Sequence, residues 1–94
     1  MKITDLKIYH IKNPKNKLVA VATAIFDKAL VISGFQIFES VKGTIVGMPS
    51  RKMPDGTWKE TVFCIDADVE SYIKNTILRV YKDEKALNDM TINK

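Results

Sequence analysis

Apolar and polar residues alternate through the first two-thirds of the chain, and this pattern predicts a β-sheet. Residues 2–11 fit an irregular strand, and we expect a bulge near Ile8 and Tyr9. Residues 18–26 are apolar on both faces, which indicates a central strand covered on both sides. Gly34 interrupts the next apolar run, where a bulge or a close backbone approach is expected.

Two shorter segments complete the predicted sheet. Residues 41–49 form a strand that ends at Pro49, and residues 57–65 alternate again after a Pro-Asp-Gly turn. The pattern therefore predicts about five strands joined by short turns, which favours an antiparallel meander.

The periodicity changes after Ile65. Apolar residues then recur at spacings of three and four, and they form one stripe on a helix from about residue 68 to residue 82. Asp66 and Asp68 are both candidates for the helix N-cap. We expect this helix to lie on the sheet, so the predicted fold class is α+β.

The stretch after the helix is less defined. We assign residues 1–82 to the domain and residues 83–94 to a C-terminal tail, whose apolar residues are scattered. Three alternatives stay open for the tail: it extends the helix, crosses to a partner subunit or frays.

Composition narrows the class of protein. The chain has 94 residues, of which 46% are hydrophobic, as expected for one globular domain. Its one cysteine, Cys64, cannot form an internal disulfide, and this fits a cytoplasmic location. We find no secretory signal and no apolar run of the roughly 20 residues that a membrane span requires.

The titratable residues do not form a catalytic group. His10 is the one histidine and lies in a predicted strand, so we interpret it as structural or exposed. Asp66, Asp68 and Glu70 are better explained by helix capping than by metal binding, because a calcium loop needs further oxygen ligands. The sequence therefore predicts a protein that is not an enzyme, with no metal and no cofactor.

The charge is distributed unevenly along the chain. The formal net charge is +4, and residues 1–65 contain ten Lys and Arg residues against five Asp and Glu residues. Residues 66–94 contain five basic residues against six acidic ones. A basic excess in the first two-thirds permits an anionic partner such as DNA or RNA, but does not require one.

One predicted turn carries cations and an indole together. Arg51 and Lys52 precede the Pro-Asp-Gly turn, and Trp58 and Lys59 follow it. Cations bind phosphates and aromatic rings stack on unpaired bases, so this hairpin is a candidate nucleic-acid site. The alternative is a solvated turn whose indole covers the edge of the core.

A second basic loop contains Lys12, Lys15 and Lys17, and its position relative to the hairpin does not follow from the spacing.

Three stretches resemble the SpoVG family of bacterial septation proteins: "MKITDLKI", "AVATAIFDKALVISGFQIFE" and above all "GTIVGMPSRKMPDGTWKE". The resemblance covers roughly residues 1–81. It implies a dimeric cytoplasmic regulator that binds DNA or RNA, is linked to septation and sporulation, and has an antiparallel sheet with a C-terminal helix. It also implies that the basic loop after Met-Pro-Ser contacts nucleic acid, and this loop corresponds to Arg51 and Lys52.

The chain departs from the family pattern near the helix. Residues 63–65 are Phe-Cys-Ile where the family usually has His-Pro-Ile, and Glu70 and Tyr72 replace basic residues. Any contact from the helix would then use Lys74, Arg79 or Lys82. The main hypothesis is a homodimeric nucleic-acid-binding regulator. The alternative is a protein-interaction module that has a septal protein partner and does not bind nucleic acid.

Overall fold

In a computed structural model, the chain forms an antiparallel sheet with one helix packed against it, which confirms the predicted α+β class. The structure describes the backbone of residues 1–92 and the side chains of residues 1–85. Four strands form the main sheet in the order β1-β2-β3-β4. They are β1 (Ile3–His10), β2 (Leu18–Phe26), β3 (Leu30–Ser40) and β4 (Gly43–Gly47).

A separate hairpin follows the main sheet. Strands β5 (Ser50–Lys52) and β6 (Trp58–Glu60) pair only with each other. The predicted strand over residues 57–65 is therefore shorter than expected, although burial still alternates from residue 61 to residue 65. The Pro49 carbonyl still accepts a hydrogen bond from the Thr61 N–H at 2.9 Å, but the pairing ends there because Pro49 has no N–H to donate in return.

The core lies between one face of the sheet and the helix α1 (Ala67–Ile92). The small side chains of Ala20, Ala22 and Ala24 are fully buried in β2. Ile73 and Ile77 pack on this face from the helix and are also buried. The remaining buried apolar side chains belong to Phe26, Phe35, Ile37, Val46, Met48 and Tyr81. We call this side of the sheet the helix face.

The opposite side, which we call the far face, is only partly covered. Strand β2 directs Val21 and Ile25 away from the buried alanines, and these side chains are half-buried, whereas Val19 packs against the core. The prediction that β2 is covered on both sides is therefore wrong for the described part of the chain. Within residues 1–92, α1 packs on the helix face, and the β5–β6 hairpin overlies only part of the far face.

The register between strands shifts at three places, one of them between Leu18 and Ala20 in β2. The register of β1 shifts between Ile3 and Asp5, so the predicted bulge near Ile8 and Tyr9 is wrong. Thr4 is the extra residue, and its hydroxyl donates to the Ile25 carbonyl at 3.2 Å. The predicted irregularity at Gly34 is confirmed, because the β2–β3 register shifts there and Gly34 has a φ of 97°.

The helix begins at a capped end and continues past its predicted limit. The Asp66 carboxylate accepts hydrogen bonds from the N–H groups of Asp68 and Val69, which makes Asp66 the N-cap. The helix runs to Ile92, ten residues beyond Lys82.

Its extension contacts the sheet, since Lys85 pairs with Glu39 at 2.7 Å and Glu84 contacts His10 at 3.0 Å. The division into a domain over residues 1–82 and a tail stays a prediction, and residues 93–94 lie outside the described residues. Within residues 1–92, the helix is too polar to cross a membrane.

Candidate functional site

The base of the basic hairpin is fixed to the core by Met48 and Pro49. Met48 is buried on the helix face and Pro49 is buried beside the Gly34 bulge. A Cβ atom at Gly34 would lie 3.5 Å from the Pro49 Cβ, so the two backbones pass close to each other. The Pro49 carbonyl also accepts the hydroxyl of Thr61 at 3.3 Å. Residues 48 and 49 therefore hold the hairpin at a defined place on the sheet.

The tip of the hairpin is closed by its own hydrogen bonds. The Met53 N–H donates to the Thr57 carbonyl at 2.7 Å, and the Gly56 N–H donates to the Met53 carbonyl at 2.9 Å. The Asp55 carboxylate accepts hydrogen bonds from the hydroxyl and the N–H of Thr57. These bonds lower the pKa of Asp55, and the bond from the Thr57 hydroxyl has the larger effect. The basic residues thus lie on an ordered turn.

Alternation along the hairpin divides the predicted site residues between two faces. Arg51 lies directly opposite Lys59, and Lys52 lies directly opposite Trp58. Successive residues of a strand point to opposite sides, so one face carries Arg51 with Lys59 and the other carries Lys52 with Trp58. All four side chains are exposed.

The hairpin cations have no acidic partner among the described side chains. The ion pairs of residues 1–85 connect Glu70 with Lys74, Glu39 with Lys85, and Glu84 with His10. Like charges directly opposite each other in a β-ladder are destabilising, and Arg51 and Lys59 have this arrangement. An anion bound between them would remove that repulsion.

One of the two predicted site residues of the second basic loop borders the same cavity as the hairpin. Lys15 and Lys17 both lie exposed in the loop between β1 and β2. Lys17, but not Lys15, lines a cavity that Trp58 also lines. The structure therefore brings together a cation and an indole that are 41 positions apart in the sequence.

This cavity lies between the hairpin and the far face of the sheet. We call it the hairpin cavity; its volume is about 850 Å³, and its lining consists of residues 16–18, Gln36, Phe38, Ser50 and Trp58. Phe38 belongs to the far face, because its neighbours Ile37 and Glu39 contact the core and the helix. The predicted site did not include Gln36, Phe38 and Ser50, since strand alternation does not show which far-face residues the hairpin overlies.

The helix residues that depart from the family pattern have structural contacts. Glu70 pairs with Lys74 at 3.5 Å, and the Tyr72 hydroxyl accepts a hydrogen bond from the Ile3 N–H at 3.0 Å. Arg79 and Lys82 are exposed, but their helix covers the face opposite the hairpin cavity. The helix therefore contributes no side chain to that cavity among the described residues.

The segment before the helix exposes apolar side chains. Phe63 and Ile65 are exposed to 65% and 98%, while Val62 and Cys64 pack against the core. A smaller cavity of about 300 Å³ lies beside this segment and is also bordered by Met1 and Asp66. Residues 63–65 of this segment are the positions where the chain has Phe-Cys-Ile and the family usually has His-Pro-Ile.

Comparisons with known proteins agree with the quoted motifs. The SpoVG family model matches residues 1–83. A protein of Acholeplasma laidlawii named "Putative septation protein SpoVG" is 35% identical over 83 residues, which cover 88% of this chain and 87% of that protein. Proteins of the same name are 36% identical in Phytoplasma australiense, with 88% and 85% covered, and 37% identical in Acetivibrio thermocellus, with 87% and 86% covered.

Proposed function

The chain belongs to the SpoVG family, and from this premise we propose that it is a small dimeric regulator that binds DNA or RNA through its basic hairpin. The observation that carries the proposal is the arrangement of Arg51, Lys52 and Lys59. They are exposed on an ordered turn, and none of them forms an ion pair with a described carboxylate. Phosphate groups are the anions that such a cluster fits best on a polymer.

The two faces of the hairpin suggest how a strand would be held. Arg51 and Lys59 would share a phosphate on one side, while Lys52 faces the other side next to Trp58. Lys15 and Lys17 add positive charge from the neighbouring loop. Backbone contacts of this kind are independent of sequence and weaken steeply with salt.

A role in septation comes from the names of the relatives, and we include it in the proposal. Dimerisation is also part of it. Strands β1 and β4 are the two edges of the main sheet, and unpaired edges can pair with another chain. Sedimentation at micromolar concentration measures this state, and a monomer throughout would contradict it.

The test of the hairpin is a pair of double variants that remove equal charge. Arg51→Ala with Lys52→Ala removes two cations from the hairpin, and Lys2→Ala with Lys28→Ala removes two exposed lysines at the opposite end of β2 from Lys17. Gel shifts at two salt concentrations measure affinity, and circular dichroism checks the fold.

We expect the hairpin variant alone to lose most of its affinity. The slope of log affinity against log salt should fall by roughly 0.7–0.9 for each phosphate contact that is lost. Equal affinity of the hairpin variant and the parent protein, or equal losses in both double variants, would remove Arg51 and Lys52 from the site.

A second candidate function is a protein-interaction module at the septum. The exposed side chains of Phe63 and Ile65 favour it, because adjacent exposed apolar groups are common at protein interfaces. Recovery of septal proteins after nuclease treatment, with binding that is insensitive to salt, would favour this function over nucleic-acid binding.

A further inference from the structure

We propose that the hairpin cavity is a pocket for one unpaired nucleobase, so that the protein binds single-stranded nucleic acid in preference to duplex. This inference rests on the proposed function and adds to it the class of ligand that the site accepts. It is carried by the size, the chemistry and the charge of the cavity.

The walls of the cavity suit a planar ring, and its volume is large enough to admit one. The volume of about 850 Å³ lies within the range of small-ligand pockets. Phe38 lines the cavity from the sheet and Trp58 lines it from the hairpin, so two separate structural layers each contribute an aromatic ring. Leu18, the β2 partner of Phe38, adds apolar surface. Stacking on aromatic side chains is the usual way in which proteins hold unpaired bases.

Glycine leaves room beneath one of these rings. A Cβ atom at Gly47 would lie 3.4 Å from the Cε2 atom of Phe38 and 3.8 Å from the Gln36 carbonyl oxygen. A side chain larger than alanine at Gly47 would therefore displace the Phe38 ring. The Phe38 ring therefore packs directly over residue 47 of β4.

Polar groups in the cavity remain available to a base edge. Gln36 and Ser50 line the cavity, and among the described residues neither the Gln36 amide nor the Ser50 hydroxyl forms a hydrogen bond. The side-chain oxygen Oδ1 of Asn16 accepts a hydrogen bond from the Leu18 N–H at 2.9 Å, which leaves the side-chain NH₂ of Asn16 free to donate. An amide offers a donor and an acceptor together, as the edge of a base requires.

Cations flank the cavity where the neighbouring phosphates of a strand would lie. Lys17 lines the cavity from the loop before β2, and Lys52 lies opposite Trp58 on the same face of the hairpin. A base within a duplex is paired and stacked on its neighbours, so it cannot enter this space. An unpaired base in a flexible strand can enter while its phosphates stay at the rim.

Trp58 is the only tryptophan of the chain, so its fluorescence reports directly on this cavity. We would compare the binding of three probes to the full chain. They are a single-stranded DNA of about 10 nucleotides, an abasic oligomer with the same number of phosphates, and the corresponding duplex. Anisotropy of labelled probes gives affinity in parallel.

We expect the single strand to quench Trp58 emission and to bind about tenfold more tightly than the abasic oligomer. Phe38→Leu should weaken binding of the single strand about fivefold and leave binding of the abasic oligomer unchanged. Phe63→Leu is the matched control, because Phe63 is exposed and lies outside the hairpin cavity, and it should bind as the parent protein does.

The other results separate this inference from the proposed function. Equal binding of all three probes without quenching would overturn the base pocket and leave the phosphate contacts standing. Absence of binding to every probe would overturn both. Trp58 emission that changes with protein concentration and not with added oligonucleotide would show that a second copy occupies the cavity, and this would overturn the base pocket.

Discussion

The two faces of the main sheet are built from the same strands, yet they differ in what covers them. On the helix face, Ala20, Ala22 and Ile37 are completely buried under α1. On the far face, Val31 and Ile45 are exposed to 60% and 61%. The helix seals one side, whereas the basic hairpin overlies only part of the other.

This difference separates stability from binding. Burial of apolar surface is the main favourable contribution to folding, so the helix face supplies most of the stability. The far face contains the hairpin cavity, which is lined by Phe38 and Gln36 on the strand whose alternate residues belong to the core. Substitution of a helix-face residue of β3 should therefore affect stability, whereas substitution of the adjacent far-face residue should affect binding.

A matched pair of isoleucine substitutions tests the difference most strongly. Ile37→Ala on the helix face should reduce the free energy of unfolding by about 3 kcal/mol, because it removes a fully buried side chain and leaves a cavity. Ile45→Ala on the far face should cost less than about 1 kcal/mol, mostly through β-propensity. Urea denaturation followed by circular dichroism measures both.

Equal losses in the two variants would contradict the assignment of the faces. A large loss at Ile45 that depends on protein concentration would place that residue in an interface between subunits. We expect the Ile45→Ala variant to fold and to bind nucleic acid as the parent protein does.

Local sequence signals were sufficient for most of the fold. Spacings of three and four gave the helix, and a break in an apolar run gave the Gly34 bulge, because each depends on neighbouring residues. The bulge in β1 was misplaced because Ile8 and Tyr9 are adjacent apolar residues. They simply point to opposite faces of an edge strand.

The candidate site was predictable only in part. Composition identified Arg51, Lys52 and Trp58, since cations and an indole on one turn are a local feature. It could not identify Gln36 or Phe38, because their place in the cavity depends on the direction in which the chain leaves β4. That direction is set by the packing of Pro49 against Gly34 and by its hydrogen bonds with Thr61, which are contacts between distant parts of the chain.

The close approach of Gly34 to Pro49 holds the hairpin over the far face. Gly34→Ala should cost about 1–2 kcal/mol, because a φ of 97° is strained for any residue with a Cβ. The added Cβ itself would meet Pro49 at an ordinary contact distance, so backbone strain and not a clash is the cause. Thermal unfolding followed by circular dichroism measures the loss.

Gly56→Ala is the matched control for this variant. Gly56 has a similar φ of 91° but lies in the open hairpin turn with no atom near the added Cβ. The turn can relax locally, so we expect a smaller loss of global stability than at Gly34. An unchanged unfolding free energy in Gly34→Ala would show that the bulge does not constrain the structure.

The smallest expected effect depends on pH and compares one carboxylate from each side of the sheet. Hydrogen bonds from Lys85 and then Tyr81 lower the pKa of Glu39 below its ordinary 4.5 on the helix face. A carboxyl whose folded-state pKa is lowered stabilises the fold above its unfolded pKa, and this contribution disappears as the pH falls through the folded value. Glu39→Gln should therefore lower the free energy of unfolding by about 1 kcal/mol at neutral pH and make it depend less on pH in the acidic range.

Asp55→Asn is the control, since the pKa of Asp55 is also lowered but its carboxylate lies fully exposed on the hairpin turn. The effect of Asp55→Asn on global stability should be the smaller of the two. Urea denaturation at several acidic pH values measures the pH dependence of both variants. An equal change of that pH dependence in Asp55→Asn and Glu39→Gln would contradict the comparison.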